Sequence, residues 1–505
     1  MLAQSLWRAH QPAPFSNQPL PNEVDVVVVG GGIAGLTAAY LFKQGGKRVA
    51  VFEKDRIGSG ETGNTTAHLT CVNDARISKV ARQFGENTAQ LVWRAGATAI
   101  DVIESNATER GIDCAFRRVP GFLCSAFFDE DSGDGPSALR EDAELARRLG
   151  FATSFIEAGP ITGRPAMRVA DQALFNPMDY IAGLASVING DGSFVFEDCE
   201  VGDVIDDPLA VIVNGENIVC RDLMIATHVP IVGKRNLLGA TLFQTKLYPY
   251  SSYVLGARLS DDRVAPGLYW DTTDSYYYLR VHEDADGFYA IFGGEDHKTG
   301  QESDTESRFT HLTEAFQRLV PSAAIERRWS GQVIETSDGL PFIGEVSPHQ
   351  FVATGFAGNG MTFGTIAGVM MHDAVLNVPN VWRDLFDPHR KVSTLGSLAT
   401  VLTENVDYPF HFIADRLRQN TGAGVENVPR GSGKVLVVGD KRVAVHRRDD
   451  GEVVKVSAVC THMGCLVRWN NAERTWDCPC HGSRFSPEGE VLGGPAEAPL
   501  EKVDD

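Results

Sequence analysis

The chain holds no uninterrupted apolar run long enough to cross a bilayer, so no membrane span is expected. Positive charge is also short: 46 Lys and Arg against 66 Asp and Glu give a formal net charge of −20. Nucleic acid and anionic membrane would both be repelled, and neither is expected as a partner. The stretch from Met1 to Pro21 has a lone Arg8, no twin-Arg pair and no apolar core, so it does not read as a secretory signal. Cysteine is sparse. Of nine, Cys71, Cys114, Cys124, Cys199 and Cys220 are scattered singly, a usage that suits a reducing cytoplasm. No repeat of solenoid length is present. What remains is an ordinary composition, 43% hydrophobic and 22% charged, over 505 residues, enough for about three compact units.

The other four cysteines are concentrated near the end, in Cys460-Thr461-His462-Met463-Gly464-Cys465 and Cys478-Pro479-Cys480-His481-Gly482-Ser483. A Cys-x-His…Cys-x-x-His set can hold a [2Fe–2S] cluster, with thiolates on one iron and imidazoles on the other. Neutral imidazoles carry less negative charge than thiolates, so such a cluster takes up an electron more readily than an all-Cys one. Zn²⁺ also suits closely spaced Cys/His pairs. A zinc site accounts for neither the extra Cys pair, nor the glycines, nor the serine.

This segment closely resembles the Rieske domain. The resemblance implies Cys460 and Cys478 on the inner iron, His462 and His481 on the outer iron, and a loop disulfide Cys465–Cys480. It further implies a hydrogen bond from Ser483 to a cluster sulfide. Phe485 stands where high-potential members carry Tyr, so one hydrogen bond to a ligand sulfur should be missing.

At the other end, Val24 to Val29 is a β-branched run that reads as a buried parallel strand. It leads into Gly30-Gly31-Gly32-Ile33-Ala34-Gly35, then a helical stretch to Gln44, then a strand from Arg48 to Phe52 ending in Glu53. The glycines permit a tight turn and let a pyrophosphate approach the helix N-terminus, while Glu53 can accept hydrogen bonds from ribose hydroxyls. Two further segments are glycine-rich: Arg56 to His68, and Trp329 to Gly344 followed by a strand (Phe351–Thr354) and Gly355 to Thr362, which opens another helix.

Together these blocks look like the amine- and amino-acid-oxidising flavoproteins of the D-amino-acid oxidase or glycine oxidase superfamily, over about Asp25 to Leu376. The resemblance implies bound FAD. Gly30, Gly32, Ile33, Ala34, Gly35, Glu53 and Lys54 would serve the ADP half, with Thr65 and Thr66 in the loop that follows. Val201 would meet the adenine, and Thr227 would lie in the crossover above the dinucleotide. Asp338, Gly339, Gly358, Asn359, Gly360, Met361 and Thr362 would lie near the flavin ring or ribityl chain. Some members attach FAD through a His in the region of His68, but the flanking pattern here is offset and covalent attachment is not expected.

The expected fold is thus an α/β Rossmann-type FAD-binding domain with an α+β substrate domain, plus a C-terminal all-β Rieske domain. An extension covers 1–22 and the flavoprotein 23–385, with FAD-binding parts at about 23–90, 170–240 and 326–385. The substrate domain falls at about 91–169 and 241–325, a helical linker at 386–424, and the Rieske domain at 425–505. Residues 85–150 read as largely helical. Leu247–Leu255 and Gly267–Phe292 read as antiparallel strands, with Tyr248, Tyr276 and Tyr278 as sheet packing rather than cavity walls. Within the linker, Leu395–Leu402 and Phe410–Leu417 have helical spacing.

For catalysis, Arg280 falls where some relatives place a carboxylate-binding Arg. His297 or Glu295, in a glycine-flanked cluster of titratable groups, is the candidate base. A flavin takes two electrons at once and a Rieske cluster one, so the pair points to a dehydrogenase. It would oxidise a C–N bond of an amine or amino-acid-like substrate and pass electrons singly to an external one-electron acceptor. The absence of Lys between Tyr248 and His297 agrees with a dehydrogenase, because a Lys near the flavin aids reaction with oxygen in the resembled oxidases. A reductase fed by NAD(P)H would need a second dinucleotide fingerprint, and none is present. An oxygenase would need a mononuclear iron domain, yet only 24 residues follow His481. A redox carrier, in which FAD and the cluster relay electrons from another donor without amine turnover, is the alternative that stays open.

Overall fold

The computed structural model describes residues 4–10, 15, 18–128, 133–230, 246–260, 264–273, 276–391, 424–439 and 441–503. The valine run forms the strand Glu23–Val29, buried along most of its length, as a strand flanked on both faces must be. It is central in an eight-stranded sheet, parallel to Val49–Phe52 on one side and Glu216–Ile225 on the other. Phe194–Phe196 extends one edge in parallel. Gln350–Thr354 pairs in parallel with Glu216–Ile225 and carries the antiparallel Phe342–Ser347.

Two helices lie side by side on this sheet, Ile33–Gln44 and Gly360–Val375. Their closeness comes from Gly364 and Gly368, one helical turn apart. A Cβ at Gly368 would fall 2.8 Å from the backbone N of Ala38, and one at Gly364 would fall 3.0 Å from Ile33 Cγ2. The consequence is functional: both N-termini open at the same edge of the sheet.

A second, nine-stranded sheet is built largely from the middle of the chain. Its order is Ala323–Thr336, Leu247–Leu259, Gly287–Lys298, Tyr278–Asp284, Gly267–Trp270, Arg117–Cys124, Ala166–Leu174 and His68–Leu69, and the ninth strand, Thr153–Ile156, also pairs with Ala166–Leu174. Helices cover Glu86–Arg110 and Pro136–Arg148, but between them Arg117–Cys124 is a strand. Its apolar half, Gly121 to Cys124, is buried against Met167 and Leu268 neighbours, and that packing decides against helix. The strand Ala323–Thr336 runs across the expected division at 326.

Downstream, a three-stranded sheet (Ser432–Val438, Lys441–Arg447, Val453–Ser457) and a four-stranded one (Arg468–Asn470, Thr475–Asp477, Arg484–Phe485, Val491–Gly493) make an all-β unit. Its core centres on Trp476, Phe485, Val456 and Leu500. The helices expected at Leu395–Leu402 and Phe410–Leu417 lie outside the described residues. No described helix is long and apolar enough to cross a membrane.

Candidate functional site

The all-β unit holds the two Cys/His loops as a matched pair. Gly464 N donates to Cys460 O and Gly482 N to Cys478 O, each at 3.0 Å. Gly464 (φ +78°) and Gly482 (φ +69°) both take the left-handed conformation that closes such a turn. Cys460 and Cys478 are buried, with their thiols hydrogen-bonded to each other. The rings of His462 and His481 lie 4.9 Å apart, nearly perpendicular, and are half-buried. Two thiols on one side and two imidazoles on the other are the donor set of a [2Fe–2S] cluster with mixed ligation, and these residues fit it. Cys465 and Cys480 form a disulfide whose sulfurs lie within 4.8 Å of Cys478 Sγ. Ser483, fully buried, reaches the Cys460 thiol and accepts from Ala496 N at 3.1 Å; Phe485 is also fully buried.

A cleft of about 1350 Å³ opens where the two helix N-termini meet the second sheet. Neither N-cap, Gly32 or Asn359, caps its helix with a side chain, so backbone N–H groups remain for an anion or ring oxygen. Gly30 (φ +110°) and Gly35 leave no room for a side chain: their Cβ atoms would fall 2.5 Å from Ala226 O and 2.0 Å from Gly30 O. Glu53 accepts from Gly31 N (2.7 Å) and Asp55 N (3.1 Å), and burial raises its pKa above the usual carboxylate range. A long cleft with a glycine turn, an acid at the next strand end and two helix starts whose N-cap residues offer no side-chain cap fits FAD.

Of the residues expected to hold it, Gly30, Gly32, Ile33, Ala34, Glu53, Lys54, Thr65, Thr66, Val201, Thr227, Gly358, Asn359, Gly360 and Met361 line the cleft. Gly35 packs behind the turn. Asp338 does not face the cleft: it pairs with Arg390 (2.8 Å) and accepts from Leu340 N (3.2 Å), which makes it a turn anchor beside Gly339. Thr362 Oγ1 donates to Asn359 O at 3.2 Å.

The expected catalytic trio is placed elsewhere. Arg280 is buried behind the cleft, its Nη1 donating to the carbonyls of Thr66 (3.3 Å), Ala67 (3.0 Å) and Phe175 (2.9 Å). Burial without a carboxylate partner lowers its pKa to about 9. Glu295 accepts from Tyr277 Oη (2.8 Å) and pairs with Arg308 (3.2 Å). His297 lies against Tyr253 Oη (3.0 Å) and Lys298 O (2.9 Å). Both face the helix Thr305–Leu319. The residue between them, Asp296, points the other way and lines the cleft, as alternation along a strand requires. A bulge, in which Ser252 opposes Glu295 and Asp296, sets that register; Glu295 has φ +61°.

Around Asp296 stand residues that sequence reasoning passed over. Asp74 accepts from Tyr276 Oη (3.0 Å) and Gly358 N (2.8 Å). Tyr278 Oη shares a hydrogen bond with Ser252 Oγ (2.7 Å). Tyr276 and Tyr278 are therefore cavity walls as well as sheet residues, whereas Tyr248 is buried away from the cleft. Asp74 lines the cleft with part of its surface accessible, and the protein packed around its carboxyl raises its pKa. Asp296 rises to about 7, through burial and then through Asp74 and Glu295. His68 lines the same space and is held neutral, at about 3, by burial and the charge of Arg280.

The two sites meet. A Cβ at Gly482 would fall 2.3 Å from Pro249 Cγ, and one at Gly300 would fall 2.8 Å from the Cys478 carbonyl carbon. Gln332 lines the flavin cleft and donates from Nε2 to Gly482 O at 3.0 Å. Its backbone N donates to Glu61 (2.8 Å), a carboxyl that burial raises to about 7. Lys54 Nζ reaches the carbonyls of Leu492 (3.3 Å) and Val491 (3.5 Å), so the all-β unit also closes the adenosine end of the cleft.

Comparison with known proteins agrees with this division. Residues 25–374 match the family model described as FAD dependent oxidoreductase, and residues 421–504 match the Rieske [2Fe-2S] domain. YhfW of Bacillus subtilis, by name a Rieske 2Fe-2S iron-sulfur protein, is 31% identical over 99% of this chain and 97% of its own. Gamma-glutamylputrescine oxidoreductase of Escherichia coli is 24% identical over 74% of this chain and 90% of its own. Among solved structures, glycine oxidase from Geobacillus kaustophilus superposes with a TM-score of 0.61, covering 74% of this chain and all of its own. At 20% identity that likeness shows the fold alone.

Proposed function

Because the chain belongs to the FAD dependent oxidoreductase family and carries a Rieske [2Fe-2S] domain, we propose that it is a dehydrogenase for the C–N bond of an amine. Its electrons leave one at a time through the cluster to an external acceptor. FAD supplies the hydride-accepting ring, and the cluster supplies single-electron transfer.

The residues divide the work. Asp74 and the Gly358–Met361 turn set the wall against which the substrate lies, and Tyr276 and Tyr278 bound its body. Asp296 is placed to take the proton that an ammonium sheds. The adjacent C–H bond then gives up its hydrogen and two electrons, and the C–N single bond becomes C=N, which water hydrolyses once the product has left the cleft. The cleft walls and the docked all-β unit keep bulk water from the reacting carbon. The observation that carries the reading is Gln332, which lines the flavin cleft and at the same time holds the Gly482 carbonyl of the cluster loop. A carrier fed by another donor would have no use for an acid-lined chamber over the flavin.

Anaerobic rapid mixing with a panel of primary and secondary amines tests the proposal. At least one amine should bleach the flavin absorbance faster than NADH does. Bleaching by NADH and by none of the amines would overturn it.

A further inference from the structure

We propose that the substrate end of the cleft selects a primary or secondary alkylammonium with no carboxylate on the carbon to be oxidised, held between Asp74 and Asp296. This rests on the amine-dehydrogenase reading above and narrows its substrate class. Three observations carry it.

The first is the charge of the lining. Asp74 and Asp296 both face the cleft and lie near enough that the charge of Asp74 opposes the ionisation of Asp296. Among the described residues, the cations that line the cleft are committed elsewhere. Arg8 is bound to the carbonyls of Ser59 and Gly60, Lys54 to those of Val491 and Leu492, and Arg484 to Glu473 and Asp477. Arg280, the residue expected to receive a carboxylate, spends its Nη1 on three carbonyls behind the wall. An α-carboxylate would therefore add negative charge beside two carboxyl groups, with no uncommitted cation facing it among the described residues.

The second observation is an acceptor without a donor. Asp296 Oδ1 is buried with no hydrogen-bond partner in the protein. Asp296 has a hydrogen bond from Ser252 and lines the cleft, and a carboxylate that the protein leaves short of donors gains one when a ligand brings an N–H to its cleft side. The third is the shape of the walls. Tyr276 and Tyr278 stand with ring centroids 6.0 Å apart, Trp270 and Val254 extend the apolar surface, and the aromatic faces favour a cation. Two acceptors beside aromatic rings fit an N–H-bearing alkylammonium. A quaternary ammonium could not donate to them.

The test is isothermal titration of the flavin- and cluster-loaded protein with n-hexylamine and N-methylhexylamine, each set against norleucine and hexanoate. At least one amine should bind, with norleucine and hexanoate weaker by about tenfold or more. Asp296→Asn and Asp74→Asn should each weaken the amine by about 10- to 100-fold, the worth of one charge-assisted hydrogen bond, and bring hexanoate closer to it. Asparagine keeps an acceptor for Gly358 N, and flavin absorbance reports whether each variant is loaded; if one fails to fold, the wild-type ranking and the other variant decide. Binding of norleucine or hexanoate as tight as the amines, no binding by either amine, or unchanged amine affinity in both variants overturns the inference. An amine that binds and leaves the flavin oxidised would instead overturn the dehydrogenase reading.

Discussion

The two ends of the flavin cleft are built on different principles. At the adenosine end a single stretch of chain does most of the work: glycine turn, helix start and Glu53 follow within 24 residues, from Gly30 to Glu53. At the substrate end, Asp74, Ser252, Tyr276, Tyr278 and Asp296 come from separate loops and strands and meet only because the nine-stranded sheet aligns them. The cluster site belongs to the first kind. The two Cys and two His that would hold the cluster lie on two loops that repeat one hydrogen-bonded turn. Local sites of this sort depend on residue spacing, and a substitution within them should act sharply. Assembled sites depend on strand register, and their effects should be graded.

The largest effect expected is at the cluster. Cys478→Ser should abolish the anisotropic electron paramagnetic resonance signal of the reduced protein while flavin absorbance per chain stays at its wild-type level. Survival of the signal would dissolve the distinction between the two kinds of site at once.

Next comes Asp296→Asn, which should lower kcat/KM for an amine by about 10²- to 10⁴-fold, the range for loss of a proton-accepting group. Its pH profile sharpens the point. Burial pushes Asp296 up to about 7, against a hydrogen bond from Ser252 and with Asp74 and Glu295 adding to the rise. Below that pH its carboxyl is protonated and neither attracts a cation nor takes a proton, so wild-type kcat/KM should rise with pH through about 7. In the Asn variant that limb should vanish; a limb that stays would place the base elsewhere.

Arg280→Met tests the assembled end from behind. Loss of the hydrogen bonds to Thr66, Ala67 and Phe175 should cost about 3 kcal/mol in urea unfolding, because three buried carbonyls lose their donor. Discrimination between hexylamine and hexanoate should stay as in the wild type. A selective change in hexanoate affinity would show that the guanidinium serves the cavity after all.

The smallest effects lie around the sulfur atoms. Ser483→Ala should lower the cluster potential and Phe485→Tyr should raise it, read by protein-film voltammetry. Each changes one hydrogen bond near the cluster and leaves the fold in place.

This contrast also explains what could be read from the chain. The Rossmann turn, the strand before it and the paired Cys/His loops were legible because each is a local pattern with its own physical reason: glycine for backbone space, paired Cys and His as a donor set suited to iron. Arg280, Glu295 and His297 were chosen from the right strands, but a strand presents alternate residues to opposite faces. The bulge opposite Ser252 decides that Asp296 is the one lining the cleft, and no local feature of the Gly-Gly-Glu-Asp-His segment announces it. Asp74 carried no signal, since its partners Tyr276 and Gly358 lie over two hundred residues away. Asp338 is expected near the cofactor from the family resemblance, yet its charge is matched to Arg390, beyond the motif.

The central claim is that electrons taken from an amine in the cleft cross to the cluster through the contact at Gln332 and Gly482. Freeze-quenching after anaerobic mixing with an amine measures this most directly, with paramagnetic resonance of the cluster followed alongside flavin absorbance. The account predicts a reduced-cluster signal that grows as the flavin is bleached, and that grows more slowly in Gln332→Leu. A flavin that bleaches fully while the cluster stays oxidised, and that is restored only by oxygen, would contradict it.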